Sequence, residues 1–284
     1  MEDILELPDK PLLVIEPTRG WAALNLREIW QFRDLLLTLA GRDVKLRYRQ
    51  TALGAIWVVL QPLLAAGIFT FVFSKVAKMP SDGVPYFLFS YAGLLAWNAF
   101  NSTLGKASTC LIQNSQLISK VFFPRLIVPL STVFSTLIDF GVALGMMAVL
   151  MLINHVVPGW PLLLLPLWLA LILMLSVGIG LFAAALTVSY RDVQFVLPVL
   201  LQFLLYASPV AYASSKVPPQ YHALYMLNPL AGLLEAFRWS FFGSVSTGSI
   251  SWWAVAYGAA WAVVAFVGGA FAFKKMERRF ADVI

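Results

Sequence analysis

The chain has 284 residues, 60% of them hydrophobic and 12% charged, with a formal net charge of +6. Soluble domains run at about 45–50% apolar and about 25% charged, so this composition excludes a water-soluble enzyme, a disordered chain and a secreted disulfide scaffold. The single cysteine, Cys110, permits no intrachain disulfide.

Met1–Lys10 is acidic and polar rather than basic and then apolar, so no cleavable signal peptide is expected. Asn25 to Ala40 reads as an amphipathic helix, with Asn25 as N-cap and Glu28 completing a capping box. Its broad apolar face holds Leu26, Ile29, Trp30, Phe32, Leu36, Leu37, Leu39 and Ala40. Such a helix lies in a membrane interface with Trp30 at headgroup depth, or packs on a partner domain. Arg33 falls in the apolar sector and must snorkel or find a partner. After Gly41, Arg42, Lys45, Arg47 and Arg49 outnumber Asp43. Directly before a span, such a cluster anchors topology and attracts anionic lipid, at about 1 kcal/mol per basic residue.

A membrane-spanning helix needs about 20 apolar residues, because hydrocarbon offers loose backbone no hydrogen bonds. Six runs qualify: Leu53–Phe73, Val84–Leu104, Leu126–Val157, Leu162–Tyr190, Val193–Ala213 and Ser251–Phe273. None alternates like a membrane barrel strand, so the expected fold is an all-α integral membrane bundle of six spans. With the N-terminus inside, 16 of the 20 Lys and Arg fall on inside segments, Lys106 among them. That split obeys the positive-inside rule and places both termini in the cytoplasm. The expected division is a cytoplasmic segment 1–51, a transmembrane domain 52–276 and a cytoplasmic tail 277–284.

Aromatic residues crowd the first two spans, including Trp57, Phe69, Phe73, Tyr91 and Trp97. Ring faces suit the C–H faces of sugars. An interfacial belt accounts for Tyr91 better than for Trp57 or Trp97. The loop after the second span, Asn114 to Arg125, carries a short helix capped by Asn114 and stopped by Pro124. Leu117, Ile118, Val121 and Phe122 form an apolar ridge beside Lys120, suited to a protein groove or to lying flat on lipid. The third span holds the one acid found within these runs, Asp139, which must face protein or water. It lines a polar path or satisfies hydroxyls such as Ser135 and Thr136. Gly141 and Gly145 beside it form a Gly-x-x-x-Gly that permits close helix approach.

Residues 221–245 are apolar but interrupted by Asn228, Pro229, Glu235 and Arg238. A seventh span would put the basic tail outside, so two half-helices that dip in and return are expected, the second starting at Pro229. Glu235 and Arg238, at i and i+3, can pair. No P-loop occurs, and His155 and His222 have no acid cluster beside them, so neither ATP binding nor a metal site is expected in this chain. The scarcity of intramembrane acids and bases disfavours an ion-coupled carrier. No nucleophile–base pair supports a membrane transferase.

The run from Arg42 through Gly54 to Trp57, followed by Gln61-Pro62, resembles the approach to the first span of ABC type-2 permeases, most closely the polysaccharide exporters of O-antigen, capsule or teichoic acid. The Asn114–Arg125 loop is similar to their coupling helix, Tyr190-Arg191-Asp192-Val193 to the turn after their fourth span, and Asn228-Pro229-Leu230 with Glu235 and Arg238 to their outer re-entrant segment. The resemblance covers about Leu26 to Arg279. It implies a homodimer joined to two copies of a separate P-loop ATPase, which binds the ATP and Mg and whose groove receives the ridge from Leu117 to Phe122. It also implies that the helix at about 25–40 is the gate helix, and that the cargo is a glycan on a polyprenyl diphosphate, O-antigen first among the candidates. Arg42, Lys45, Arg47 and Arg49 would then meet the diphosphate. The implied location is a bacterial inner membrane. Within the same class, a small-lipid or drug exporter is the alternative.

Overall fold

The computed structural model describes residues 30–49, 56–214, 217–243 and 250–283. The proposed caps Asn25 and Glu28 and the start of the first run at Leu53 lie outside the described residues. Every regular element among the described residues is helical. Helix α1 spans Arg33–Arg49 and α2 spans Ile56–Phe69, which widens into a π-helical turn at Thr70–Val76. Helix α3 covers Tyr86–Gln113, α4 is the short Ser115–Ile118, and α5 covers Ile127–Ile153. A 3-10 turn at Trp160–Leu164 leads into α6, Leu165–Ser189. Then come α7 at Val193–Tyr206, α8 at Pro219–Met226, α9 at Pro229–Phe242 and α10 at Trp252–Val283.

Four segments are long and apolar enough to cross a membrane: Ile56–Val76, Ile127–Ile153, Trp160–Ser189 and Trp252–Glu277. The other two expected spans differ for identifiable reasons. Helix α3 has 28 residues, about 42 Å at 1.5 Å per residue, but polar residues interrupt its apolar surface. Helix α7 has 14 residues, about 21 Å, and stops at Tyr206 rather than continuing to Ala213. Helix α10 runs unbroken to Val283, through most of the expected tail 277–284. Likewise α1 does not stop at Gly41 but continues to Arg49.

Two apolar cores hold the bundle. The larger is built on α3, α5, α6 and α9, with Tyr91, Phe100, Met147, Ile172 and Phe237 among its buried side chains. Phe140 meets Phe237 edge-on, ring centroids 6.0 Å apart. The smaller core sits at the α1 end, where Leu36 and Leu39 pack with Cys110, Leu111, Phe123, Ile127, Leu181 and Phe273. The apolar face of α1 is therefore divided: Leu36, Leu39 and Ala40 are buried against the chain's own helix ends, while Trp30 and Leu37 point outward.

The closest helix contact runs through glycines other than those singled out in the sequence. A Cβ at Gly269 would fall on the Gly178 carbonyl, and one at Gly178 on the Ala265 carbonyl, so α6 and α10 touch backbone to backbone. Gly232 and Gly258 do the same between α9 and α10. Gly141 and Gly145 have open space around them, so the Gly-x-x-x-Gly makes no close approach within the described residues. By contrast α2 buries only Pro62 and Ala66, and α7 only Leu201.

Overpacking at a backbone contact costs about 1–3 kcal/mol or more. Gly269→Leu is therefore expected to lower the thermal midpoint of the detergent-solubilised protein sharply, followed by tryptophan fluorescence. Gly145→Ala, whose methyl meets open space inside α5, should leave stability unchanged or raise it by up to about 1 kcal/mol.

Candidate translocation and coupling sites

On α3 the polar residues Asn98, Asn101, Ser102, Lys106, Thr109 and Gln113 lie on one face, Asn101 and Ser102 being adjacent and the other steps three or four residues. The stripe runs about 22 Å along the axis. It borders two cavities. One, of about 460 Å³, is lined by Arg42, Asp43, Lys106, Gln113, Asn114 and Asp139 among others. The second, of about 260 Å³, lies between α2, α3 and α5 and is lined by Gln61, Asn98, Asn101, Ser102, Asp139 and Phe140 among others. Asp139 is common to both walls.

Between the cavities Lys106 reaches from α3 to α5. Its Nζ donates to Ser135 Oγ at 2.8 Å and lies 3.4 Å from Asp139 Oδ2 and 3.5 Å from Thr136 Oγ1. Ser135 and Thr136 in turn donate to the Thr132 carbonyl. Lys106, counted above among the cations of the inside segments, sits within α3 as the ionic partner of Asp139. Ser135 and Thr136 serve Lys106. The sequence reading missed Lys106 and the amides above it, although the three-and-four spacing of Asn98, Asn101, Ser102 and Lys106 was there to be read.

At the α1 end a second polar joint links two elements. Arg42 Nη2 donates to Asn114 Oδ1 at 2.6 Å and to Asp43 Oδ1 at 2.9 Å. Asn114 Nδ2 donates to the Cys110 carbonyl at 2.8 Å. The Asn114 side chain thus ties α1 to the end of α3; it stands at the expected N-cap position of α4 but makes no side-chain cap bond there. Helix α4 is a single turn, so Lys120, Val121 and Phe122 follow it in non-helical conformation. The expected ridge is also halved. Leu117 and Ile118 pack against the smaller core, while Val121 and Phe122 stay exposed at 48% and 62%. Arg33 stacks its guanidinium 5.3 Å from the Trp30 ring centre and lies 3.8 Å from Asp34. Lys45 is exposed, and Arg47 and Arg49 occupy the last turn of α1, their side chains lying outside the described residues.

The aromatic residues expected along a path separate into two groups. Tyr91 and Trp97 are core residues: the Tyr91 hydroxyl donates to the Ala143 carbonyl at 3.0 Å, and Trp97 lies 5.8 Å from Phe100. Trp57 is exposed on α2, and Phe69 meets Phe73 edge-on at 5.6 Å.

Asn228 and Pro229 open α9, with Asn228 Oδ1 accepting from the Leu230 amide at 3.0 Å. Glu235 and Arg238 find different partners instead of joining in an ion pair. The Ser214 hydroxyl donates to Glu235. Arg238, 7% exposed, donates to the Pro209 and Val210 carbonyls and places its guanidinium 3.8 Å from the Phe89 ring centre. Tyr86 donates to the Ala211 carbonyl, and Asn228 Nδ2 to Ser208 Oγ at 2.9 Å. The irregular chain after α7 is therefore hydrogen-bonded by side chains from α3, α9 and the turn before α9. Among the described residues no three His, Cys, Asp or Glu side chains gather as a metal site.

Removing one member of a partly buried ion pair strands the other, whereas replacing both with apolar residues does not. Lys106→Met is thus expected to destabilise the protein by about 2–3 kcal/mol, and Lys106→Met/Asp139→Leu to recover most of that. The check is the thermal midpoint of both variants in the same detergent.

Residues 34–242 match the family model described as ABC-2 type transporter. The chain is 31% identical over 219 residues to an O-antigen export system permease protein RfbA of Myxococcus xanthus, covering 76% of this chain and 84% of that protein. It is 27% identical over 255 residues to the protein of the same name from Klebsiella pneumoniae, covering 88% of this chain and 95% of the relative. It is also 28% identical over 206 residues to the polysialic acid transport protein KpsM of Escherichia coli, covering 69% and 77%. With a match through most of its helical bundle, the chain belongs to the ABC-2 type transporter family.

Proposed function

We propose that this protein is the membrane subunit of an ATP-driven exporter of lipid-linked polysaccharide, O-antigen foremost, across a bacterial inner membrane. What carries the reading is the similarity to O-antigen export permeases through 76% and 88% of the chain. A capsular glycan is the second reading, favoured by the likeness to the polysialic acid transport protein.

On this reading the chain crosses six times, α3 and the shorter α7 joining the four longest apolar segments. Residues 207–214 continue the fifth crossing beyond α7, and α8 with α9 forms the re-entrant pair on the outer side. Both termini, α1 and α4 lie in the cytoplasm, as the placement of basic residues requires. Two copies associate through α2 and α7, whose apolar surfaces are largely uncovered, Phe203 being 69% exposed. The pathway between them takes Trp57 and Phe69 on its wall.

A separate ATPase supplies the energy, and ATP and Mg reside there. It receives Val121 and Phe122, the part of the loop that the permease leaves uncovered, and Arg42 with Asn114 carries the movement into α1. The basic residues Arg42, Lys45, Arg47 and Arg49 face the diphosphate of the lipid carrier. Helix α1 is the gate over that route.

Reconstituted with its ATPase in proteoliposomes, the permease is expected to translocate a polyprenyl-diphosphate glycan only while ATP is hydrolysed. Transport by the permease alone would refute the assignment. Val121→Asp/Phe122→Asp should abolish co-purification with the ATPase, because each aspartate places a charge where an apolar contact forms. The same variant should keep the parent's stability within about 0.5 kcal/mol, as exposed substitutions do.

A further inference from the structure

We propose that the cavity between α2, α3 and α5 is a saccharide subsite inside each subunit, holding the sugar next to the lipid diphosphate. This rests on the exporter reading and adds a binding site to it.

The observation behind the proposal is a group of polar side chains with no use inside the chain. Gln61 on α2 and Asn98, Asn101 and Ser102 on α3 line one cavity of about 260 Å³, and none of the four makes a side-chain hydrogen bond within the described residues. They sit near the middle of their helices, where the exporter reading places the hydrocarbon. Within the single chain Gln61 and Asn98 are exposed and Asn101 and Ser102 half-buried, so all four are open to an occupant of the space between them, and a carboxamide left facing hydrocarbon there would be costly.

The chemistry narrows the occupant. Each carboxamide presents a donor and an acceptor and carries no charge, which matches vicinal hydroxyls better than it matches an ion. Asp139 contributes a carboxylate edge already in contact with Lys106, so the site is not a bare anionic cage for a cation. Phe140 supplies an apolar wall, and the volume suits one sugar ring rather than an oligosaccharide. The neighbouring cavity shares Asp139 and is lined also by Asp43, Arg42 and Lys106, the two bases paired with the two acids, so a diphosphate there meets Arg42 and Lys106 in exchange for those carboxylates. A diphosphate followed by a sugar therefore fits the two cavities in order, from the α1 end inward.

The test measures binding of two probes to the full-length permease in nanodiscs: bare polyprenyl diphosphate, and the same lipid bearing one N-acetylhexosamine or one hexose. A sugar-bearing lipid is expected to bind roughly tenfold tighter than the bare one, as two or three hydrogen bonds allow. Asn98→Leu/Asn101→Leu should remove that preference and leave the bare-lipid affinity within about twofold. Gln61→Leu, on the loosely packed α2, should lower the preference about threefold by itself, and it decides the matter if the double variant fails to assemble. Equal binding of bare and sugar-bearing lipids by the parent protein, or a preference that survives these substitutions, overturns the subsite while leaving the exporter reading intact. If no lipid binds, both fall. Cross-linking of two copies through Asn98→Cys would show that the second subunit fills the cavity, and would also overturn it.

Discussion

Hydrocarbon cannot hydrogen-bond, and nearly every polar feature of this bundle follows from that. A lysine in a mid-bundle helix is tolerable only with its donors occupied. Lys106 meets this by reaching Ser135, Thr136 and Asp139 on the neighbouring helix. The pairing joins α3 to α5 at the point where the two cavities share a wall. One ion pair thus serves two ends: it lets α3 carry a polar stripe, and it separates the two halves of the space beside that stripe.

The same constraint shapes the opposite end. Helix α7 stops after 14 residues, and the chain beyond it turns irregularly. Irregular backbone is tolerated at depth only when buried in protein and bonded there. Arg238 and Tyr86 donate to carbonyls of this stretch, and Asn228 to its Ala207 carbonyl and Ser208 hydroxyl. This is how Arg238 is nearly buried with no ion pair among the described residues: its charge-assisted bonds go to backbone carbonyls, and its face rests on Phe89. Gly93 belongs to this arrangement, since a Cβ there would press on Val210 O and Arg238 Nη2.

How much was legible in the sequence depended on whether a feature was local. Long apolar runs gave four segments able to cross a membrane directly, since hydropathy and length are read one helix at a time. Pro229 as a helix start is equally local and stands where expected. Partners were not legible. An i, i+3 spacing suggested pairing Glu235 with Arg238, but tertiary neighbours offered each a better contact. Tyr91 and Trp97 read as path aromatics because composition does not say which helix face turns inward. Gly141 and Gly145 matched a packing motif but meet no close neighbour among the described residues, while Gly178 and Gly269, far apart in sequence, make the tight contact. In the candidate sites, Val121 and Phe122 stand exposed as half of the apolar ridge read from the residues, while Leu117 and Ile118 turn to the core. The Arg42–Asn114 joint and the Lys106–Asp139 pair required the fold to bring distant positions together.

The uneven packing has a consequence for movement. Helices α6, α9 and α10 are locked by backbone contacts at Gly178, Gly232, Gly258 and Gly269, which leave no room to slide without clash. Helices α2 and α7 bury little, and weakly buried elements are the first to shift. The cavity of Gln61, Asn98 and Asn101 lies between loose α2 and well-buried α3, so one wall can move while the other holds its geometry. Its neighbour at the α1 end is bounded by Arg42, whose bond to Asn114 ties it to the α4 loop. A force applied at Val121 and Phe122 would therefore reach the polar space through one hydrogen-bonded joint, not through the rigid block. On the exporter reading, this arrangement lets an external ATPase alter the width of a polar groove without disturbing the core that keeps the subunit folded.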